Sequence, residues 1–279
     1  MIKKFFVPRR SFGAGLALCA LVVLSAVLFF GFGAHEAQAA FPSVAATATS
    51  TDATAVTSHT VTLPSGIVSG NLLIVLFDSN SASTVTDPTG WTQFITQASG
   101  PYQRRGWYRQ ADGSEGSTLT VITSVASQSA HNSYRITGAE NPATQAPQSA
   151  LVGIGGAATT IDPPSLTPTG GAKDYLWIAI AFHNSANSGA VNAAPTNYST
   201  LLSATVATLV GLGSAQRQLN ASVEDPGTIG ISASVGRRAG ATIAVHPAEV
   251  TVAVTTSRVR IRLGKVKIKI RRLIIRLRQ

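Results

Sequence analysis

Hydrophobic residues between positions 59 and 247 recur in short runs, and clusters of Gly, Pro, Asn, Asp and Ser separate those runs. No segment combines the 3.6-residue spacing of an amphipathic helix with capping residues at its ends. The runs therefore predict strands at residues 60–63, 71–77, 91–96, 105–109, 118–123, 133–137, 175–182, 198–202, 205–212, 217–223, 229–235 and 241–245. We expect an all-β domain over 59–247, a jelly-roll-like antiparallel sandwich of two sheets.

Two of the predicted strands are apolar at every position, which sets them apart from the others. They are residues 72–77 (LLIVLF) and 175–182 (YLWIAIAF). Strands of this kind are covered on both faces, whereas alternating strands such as 118–121 have one face in water. We therefore expect these two strands to lie at the centres of their sheets.

The chain also repeats a series of features in the same order. Pro-Ser at 64–65 and again at 164–165 precedes a central strand that ends in Phe, and PTGWT at 88–92 has a counterpart in PTNYS at 195–199. The repeat predicts two similar halves, about 59–140 and 160–246, within one sandwich.

Charge is divided unevenly along the chain, whose net charge is +10. Residues 1–39 have four basic residues and one acidic residue, and residues 40–257 have eight basic and eleven acidic ones. Residues 258–279 have ten basic residues and no acidic one. The basic character thus belongs to the two ends, which argues against a uniformly basic nucleic-acid-binding domain.

The N-terminal segment has the pattern of an export signal. A basic start is followed by an uncharged run over residues 11–34, and Ala37-Gln38-Ala39 matches the small-x-small sequence that signal peptidase cleaves. We expect a signal helix in 1–39, removal after Ala39, and a secreted, cell-surface-associated protein. The alternative is an N-terminal membrane anchor, since the run is about long enough to span a bilayer. Residues 40–58, rich in Ala, Thr and Ser, are interpreted as a low-complexity lead-in.

The C-terminal segment alternates basic and apolar residues from 258 to 271, with one change of phase at Gly264. After a linker or extra strand at 248–257, we expect extended structure over 258–270, and a helix competes beyond it. The basic residues expected to bind an anionic surface are Arg258, Arg260, Arg262, Lys265, Lys267, Lys269, Arg271, Arg272, Arg276 and Arg278. The expected partner is an anionic envelope polymer or lipid, with self-association through this segment as an alternative and nucleic acid in second place.

Residue types for chemistry are sparse. The single cysteine, Cys19, lies in the signal region, so a secreted form has no disulfide and no cysteine-ligated metal. Histidines 59, 131, 183 and 246 are widely spaced, and no nucleophile elbow, Walker loop, Rossmann fingerprint or EF-hand loop occurs. We therefore assign no catalytic residue, cofactor or metal site from the sequence.

Polar loops after the two central strands are the candidate ligand contacts. Asp78 and Asn80 follow the first strand, and His183 and Asn184 follow the second. Their side chains can hydrogen-bond sugar hydroxyls, and ordinary polar loop composition is the alternative explanation. Trp91 and Tyr198 are matched aromatic residues that would either stack on a glycan or cap the core.

Several short motifs resemble a known β-sandwich module. They are GNLLIV at 70–75, PTGWT at 88–92, WYRQA at 107–111 and YRI at 134–136. The module is frequent in secreted bacterial proteins and in phage tail or virion proteins, and the likeness covers about residues 44–247. It implies an extracellular, non-catalytic module and brings no catalytic residues with it.

Three functions are compatible with these features. The first is a secreted, non-enzymatic surface, adhesion or carbohydrate-binding module attached through its basic tail. The second is a structural subunit of an extracellular filament or phage-like particle, in which the tail pairs with a neighbouring sheet edge. The third is an enzyme that acts on polysaccharide.

Overall fold

The computed structural model describes residues 39–98, 102–184, 189–207, 209–249, 252–263 and 266–277, the last two ranges as backbone. All regular elements within these residues are antiparallel strands. Residues Ala39–Val250 form one compact unit, and the strands after it belong to a second unit. The expected signal helix lies outside the described residues. An all-β fold with stacked antiparallel sheets is what the sequence pattern predicts.

The first half of the compact unit builds one sheet with the order β1-β6-β2-β5-β4, and β3 pairs with β6. Its strands are β1 (Ser43–Thr62), β2 (Leu72–Ser79), β3 (Val85–Thr86), β4 (Thr92–Ala98), β5 (Gln103–Gln110) and β6 (Thr118–Thr137). β2 lies between β5 and β6 and is buried at every position, so the expectation of a doubly covered central strand is confirmed.

The second half builds a five-stranded sheet with the order β11-β12-β9-β14-β7 and a three-stranded sheet with the order β10-β13-β8. Its strands are β7 (Gln148–Ile154), β8 (Ala158–Ile161), β9 (Lys173–Asn184), β10 (Val191–Ala193), β11 (Ser199–Val206), β12 (Val210–Ala221), β13 (Ile229–Val235) and β14 (Arg237–Val245). β9 pairs with both β12 and β14, which confirms the second expected central strand.

The five-strand path of the first sheet, without β3, corresponds in order to the five-stranded sheet of the second half. In each half the first strand pairs with the last, the last with the central strand, and the next two strands complete the sheet. Each long strand of the first half corresponds to two shorter strands in the second half. β1 corresponds to β7 followed by β8, and β6 corresponds to β13 followed by β14.

Matching turns precede the matched aromatic residues. The amide of Trp91 donates to the Pro88 carbonyl, and the amide of Tyr198 donates to the Pro195 carbonyl. The residue before each aromatic has a positive φ, 80° at Gly90 and 68° at Asn197. A type II turn requires this conformation at its third position, where Gly and then Asn are the favoured residues.

Three hydrophobic cores lie between the layers. The central core joins the two large sheets and contains Leu72, Ile74 and Leu76 of β2 opposite Leu176, Ile178 and Ile180 of β9. The first outer core lies under the other face of β2, and the second outer core lies between β9 and the three-stranded sheet. Both faces of each central strand are therefore covered by apolar side chains, which explains their unbroken apolar sequences.

Residues that the sequence repeat aligns lie on opposite faces of the two central strands. Aligning the faces instead requires a shift of one residue. The match aligns Phe77 with Phe182, but Phe77 packs in the first outer core and Phe182 in the central core. Because strand side chains alternate between faces, a displacement of one residue exchanges the two sides.

The interpretation of residues 40–58 as a low-complexity lead-in is corrected by the structure. β1 begins at Ser43 and pairs with β6 from Ser43↔Thr137 to Thr62↔Thr118. Thr and Val favour extended structure, and small Ala and Ser side chains fit this half-buried strand. Composition alone concealed a strand of 20 residues.

The second unit contains an antiparallel pair of strands, β15 (Val252–Leu263) and β16 (Val266–Leu277). Its register places Leu263 opposite Val266, and Gly264, Lys265 and Arg278 lie outside the described residues. Extended structure continues through Leu277, beyond the range that the sequence pattern assigned to it. We call this pair the basic hairpin.

Candidate functional site

Two of the four predicted polar contacts meet around a buried arginine. Asp78 is the next-to-last residue of β2, Asn184 ends β9, and Arg104 of β5 lies between them. Arg104 Nε is 3.8 Å from Asp78 Oδ1, and Arg104 Nη2 donates to Asn184 Oδ1 at 3.2 Å. The same guanidinium donates to Gln97 Oε1 at 2.7 Å and to the Arg237 carbonyl at 3.0 Å. Arg104 thus ties both sheets together at one end of the central core.

Burial dominates the electrostatics of Asp78. It raises the pKa of the carboxyl to about 8, against the opposing positive charge of Arg104. Among the described residues, no donor reaches hydrogen-bonding geometry with either carboxylate oxygen, although the Asn184 side chain lies close enough to favour the charged form. Asp78 and Asn184 have almost no exposed surface, so a glycan reaches neither without separation of the sheets.

His183 is also completely buried. Neither ring nitrogen has a hydrogen-bond partner among the described residues, and its cross-strand neighbour is Gly211. Burial lowers the pKa of His183 to about 4, and the nearby charge of Arg104 acts in the same direction. His183 is therefore a neutral core side chain at neutral pH.

The other predicted contacts are paired within the fold. Asn80 makes two hydrogen bonds with Gln128. Asn80 Nδ2 donates to Gln128 Oε1 at 2.7 Å, and the backbone N–H of Gln128 donates to Asn80 Oδ1 at 3.0 Å. Trp91 is buried in the first outer core, and Tyr198 in the second. The Tyr198 hydroxyl donates to Glu224 Oε1 at 3.1 Å. Both aromatic residues adopt the core position that the sequence left open.

The basic hairpin brings cationic residues into direct opposition. Its register pairs Arg258 with Arg271, Arg260 with Lys269, and Arg262 with Lys267. The intervening pairs are Val259↔Ile270, Ile261↔Ile268 and Leu263↔Val266. Directly paired residues share a face and successive pairs alternate, so over these six pairs one face of the ribbon is cationic and the other apolar.

A cluster that sequence reasoning missed lies at a bend in the β1–β6 ribbon. Asp52 and His59 of β1 and His131 of β6 approach so closely that one ligand atom of each lies within 4.8 Å of the other two. Ser129 stands among them, with its Oγ 2.7 Å from His59 Nδ1, 2.7 Å from His131 Nε2 and 3.1 Å from Asp52 Oδ2. We call these four residues the Asp-His-His cluster.

The Asp-His-His cluster differs from a serine–histidine–aspartate relay. In such a relay the serine and the carboxylate bind opposite nitrogens of one imidazole. Here Ser129 and Asp52 both face Nδ1 of His59, and Ser129 is completely buried. The arrangement instead gathers nitrogen and oxygen lone pairs around one point, as a cation-binding site does.

A faint sequence signal for this cluster existed in β6. Ser127, Ser129, His131 and Ser133 are polar at alternate positions of a strand and are all buried. Alternate buried polar residues require partners on neighbouring strands. Three of the partners, Ala48, Ser50 and Asp52, lie in the segment interpreted as a lead-in.

Comparison of the chain with protein-family models, with curated proteins and with solved structures found no match. In the part of the chain that the structure describes, no helix is long and apolar enough to cross a membrane.

Proposed function

We propose that this protein is a secreted, non-enzymatic surface module that its basic hairpin attaches to anionic lipids or polymers of the cell envelope. The observation that carries the proposal is the cross-strand register of the hairpin. It sets six cationic residues at three directly paired positions that are separated only by apolar pairs.

Such a hairpin requires a partner for its charge. Like charges directly opposite each other destabilise a pair of strands, and an isolated two-stranded hairpin is marginal in water. An anionic surface removes the repulsion, and each Lys or Arg near it contributes about 1 kcal/mol. The apolar pairs then offer area for contact with acyl chains or with a second ribbon.

The charge and burial of the other residues support a compact unit that the hairpin holds at the cell surface. Residues 40–257 have a net charge of −3, so attraction to anions is confined to the ends of the chain. The candidate polar contacts Asp78 and His183 are sealed inside the fold, which favours a display or shielding role over hydrolysis. The resemblance to secreted bacterial and phage-particle modules agrees with this role.

The N-terminal pattern supports export. The compact unit begins at Ala39, and β1 begins at Ser43, so cleavage after Ala39 leaves every strand of the compact unit intact. A cell-surface location then follows from export together with retention by the hairpin.

Vesicle sedimentation tests the proposal. The mature chain, residues 40–279, and a chain truncated after Val250 are mixed with phosphatidylcholine vesicles that do or do not contain phosphatidylglycerol. We expect only the full mature chain to sediment, and only with the anionic vesicles. Less protein should sediment at 0.15 M salt than at low salt, because screening at 0.15 M shortens the reach of exposed charges to about 8 Å.

Two controls distinguish the alternatives. Thermal unfolding of the truncated chain should match that of the mature chain, since Ala39–Val250 is compact by itself. A salt-resistant polymer in size-exclusion chromatography, lost on truncation, would favour the particle or filament subunit. Release of sugar from a polysaccharide, abolished by one carboxylate substitution, would favour the enzyme.

A further inference from the structure

The Asp-His-His cluster is assembled by β1 and β6, beside β2. His131 of β6 lies between its direct partners Ser50 of β1 and Phe77 of β2. Asp52 pairs with Ser129, and the register then shifts twice before His59. These irregularities bend β1, which returns the His59 ring to the carboxylate of Asp52 at 3.1 Å.

The distances between the ligand atoms fit a small cation. Asp52 Oδ2 is 3.1 Å from His59 Nδ1 and 3.8 Å from His131 Nε2. Tetrahedral coordination at about 2.0–2.1 Å places ligand atoms about 3.3 Å apart, between these two values. Ser129 Oγ lies beside all three atoms and supplies a fourth ligand atom, the second oxygen of the set.

The outward nitrogens of both imidazoles are held by hydroxyl groups. His131 Nδ1 is 2.9 Å from Ser50 Oγ, and Ser50 Oγ also accepts the Thr62 amide. His59 Nε2 is 3.0 Å from Thr123 Oγ1. Histidines that bind metals are typically oriented in this way, with the second ring nitrogen hydrogen-bonded to a group outside the coordination sphere.

A count of protons shows what the cluster lacks. Thr123 Oγ1 donates its proton to the Val125 carbonyl, so it accepts from His59 Nε2–H, and the neutral ring has a lone pair on Nδ1. That lone pair faces Asp52 Oδ2 at 3.1 Å. The Ser129 hydroxyl has one proton, which it can donate to His59 Nδ1 or to Asp52 Oδ2 but not to both. A divalent cation accepts lone pairs from His59 Nδ1, Asp52 Oδ2 and His131 Nε2 at once.

The surroundings of the cluster are rigid and partly open. The Phe77 ring stacks on His131 with centroids 5.2 Å apart and meets His59 edge-on at the same distance. Both imidazoles are completely buried, whereas 21% of the Asp52 side chain is exposed. A cation therefore has a way in past Asp52 to ligands that packing has already positioned.

We propose that Asp52, His59 and His131, with Ser129 as the fourth ligand, form a site for a zinc-class divalent cation. Two imidazole nitrogens and one carboxylate favour Zn²⁺ and related transition metals over Ca²⁺ and Mg²⁺, which take all-oxygen sets. The site joins β1 to β6, so the cation would stabilise the long strand pair of the first half.

Histidines outside the cluster provide matched controls. His183 and His246 are equally buried, and their ring nitrogens have no hydrogen-bond partner among the described residues. No other group of three potential ligands converges in the described part of the chain. Substituting His246 therefore removes a buried imidazole without touching the proposed site.

Metal titration of the untagged mature chain tests the proposal. The protein is stripped with EDTA, and Zn²⁺ is partitioned between it and a chromophoric chelator. We expect one Zn²⁺ per chain, a higher melting temperature with Zn²⁺, and, for Co²⁺, the intense visible absorption of a four-coordinate ion. Mg²⁺ and Ca²⁺ should neither compete nor stabilise.

Variants then assign the ligands. Thr123→Ala removes only an outer partner and should weaken zinc binding about 10- to 100-fold. Asp52→Asn preserves the shape of a partly exposed side chain, and its loss of affinity should exceed that range. His246→Gln should bind zinc like the wild type. An absence of zinc binding by the wild-type chain, or unchanged affinity in Asp52→Asn, would overturn the proposal and leave the cluster as a buried hydrogen-bond network.

Discussion

Asp78 and Arg104 face each other inside the protein, with 3.8 Å between Oδ1 and Nε and no exposed surface on the carboxylate. They lie at the end of the central core, where the two large sheets meet. A buried pair of this kind contributes little net stability, because desolvation offsets the attraction, but losing one partner leaves an uncompensated charge. The pair therefore makes the contact between the sheets sensitive to charge.

Removing the arginine tests this dependence. Arg104→Met keeps much of the apolar stem and deletes the guanidinium that contacts Asp78, Asn184 and Gln97. At neutral pH, below the Asp78 pKa of about 8, the substitution leaves Gln97, Asn184 and the Arg237 carbonyl without their buried donor, and we expect the free energy of unfolding to fall by about 1–3 kcal/mol in urea titrations. Arg237→Met, at an exposed position whose backbone carbonyl rather than side chain binds Arg104, is the control and should change it by less than about 0.5 kcal/mol. Equal effects of the two substitutions would contradict a buried tie between the sheets.

The raised pKa of Asp78 predicts a dependence of stability on pH. The folded-state pKa is about 8 and the ordinary value is 3.8, so between them the folded protein keeps a proton that the unfolded chain releases. Stability from this group is therefore present at low pH and declines as pH rises from about 4 to about 8.

Asp78→Asn isolates that contribution. The variant should gain stability relative to the wild type as pH rises from about 5, and the difference should level off above about pH 8. The measurement is the difference in free energy of unfolding from parallel urea titrations. A difference that is constant with pH would mean that Asp78 remains ionised beside Arg104 throughout.

Gly211 is required by the His183 ring. A methyl group at Gly211 would lie 2.2 Å from His183 Cε1, and both residues are in the buried part of the paired strands β9 and β12. Overpacking of this kind costs about 1–3 kcal/mol. We expect Gly211→Ala to lower the melting temperature, and Gly155→Ala, where nothing lies within 4 Å, to leave it nearly unchanged. The double variant with His183→Ala should lose less than the sum of the single losses.

A hydroxyl pair joins the halves inside the central core. The Tyr134 hydroxyl oxygen of β6 lies 2.5 Å from Ser214 Oγ of β12, and Asn132 Nδ2 donates to the same serine oxygen at 2.9 Å. Ser214→Ala leaves two buried polar groups without this partner, whereas Tyr134→Phe leaves Ser214 bound to Asn132. We expect the serine variant to be the less stable, by about 1–3 kcal/mol, in thermal or urea unfolding. The reverse order would mean that Tyr134 has another partner.

The sequence predicted the central strands because burial on both faces leaves no polar position in β2 and β9. The alternation of basic and apolar residues also predicted extended structure over 258–270, and the strands Val252–Leu263 and Val266–Leu277 cover all described residues of that range. Both features are local consequences of strand geometry, so a single sequence contains them.

The Asp-His-His cluster could not be predicted in the same way. Asp52 and His131 lie in strands that meet only through the long-range register of β1 with β6. The bend that returns His59 to Asp52 depends on two irregularities in that register, and no local pattern marks them. The sequence pattern places Asp78 and Asn184 in loops, but each central strand continues further than its apolar run, which places them inside the fold.

The start of the exported protein is a separate prediction. Ala37-Gln38-Ala39 precedes β1, and we expect secreted material to begin at Ala40. N-terminal sequencing of protein recovered from the cell exterior measures this directly. Ala39→Leu should block processing because signal peptidase requires a small residue there, and Ala40→Leu is the matched control. An intact Met1 end recovered with membranes would indicate an anchor instead.

Cationic and apolar positions of the basic hairpin should govern different stages of attachment. Charge acts over a distance and sets the association rate, whereas close contact sets the dissociation rate. Replacing Val266, Ile268 and Ile270 by Ser should leave association with phosphatidylglycerol vesicles fast and make dissociation faster. Replacing their neighbours Lys267, Lys269 and Arg271 by Gln should mainly slow association and flatten its dependence on salt. Surface plasmon resonance on captured vesicles resolves both rates. If the serine variant instead slows association as much as the glutamine variant does, apolar contact already forms at the first encounter, and the hairpin does not act through charge in the way that we propose.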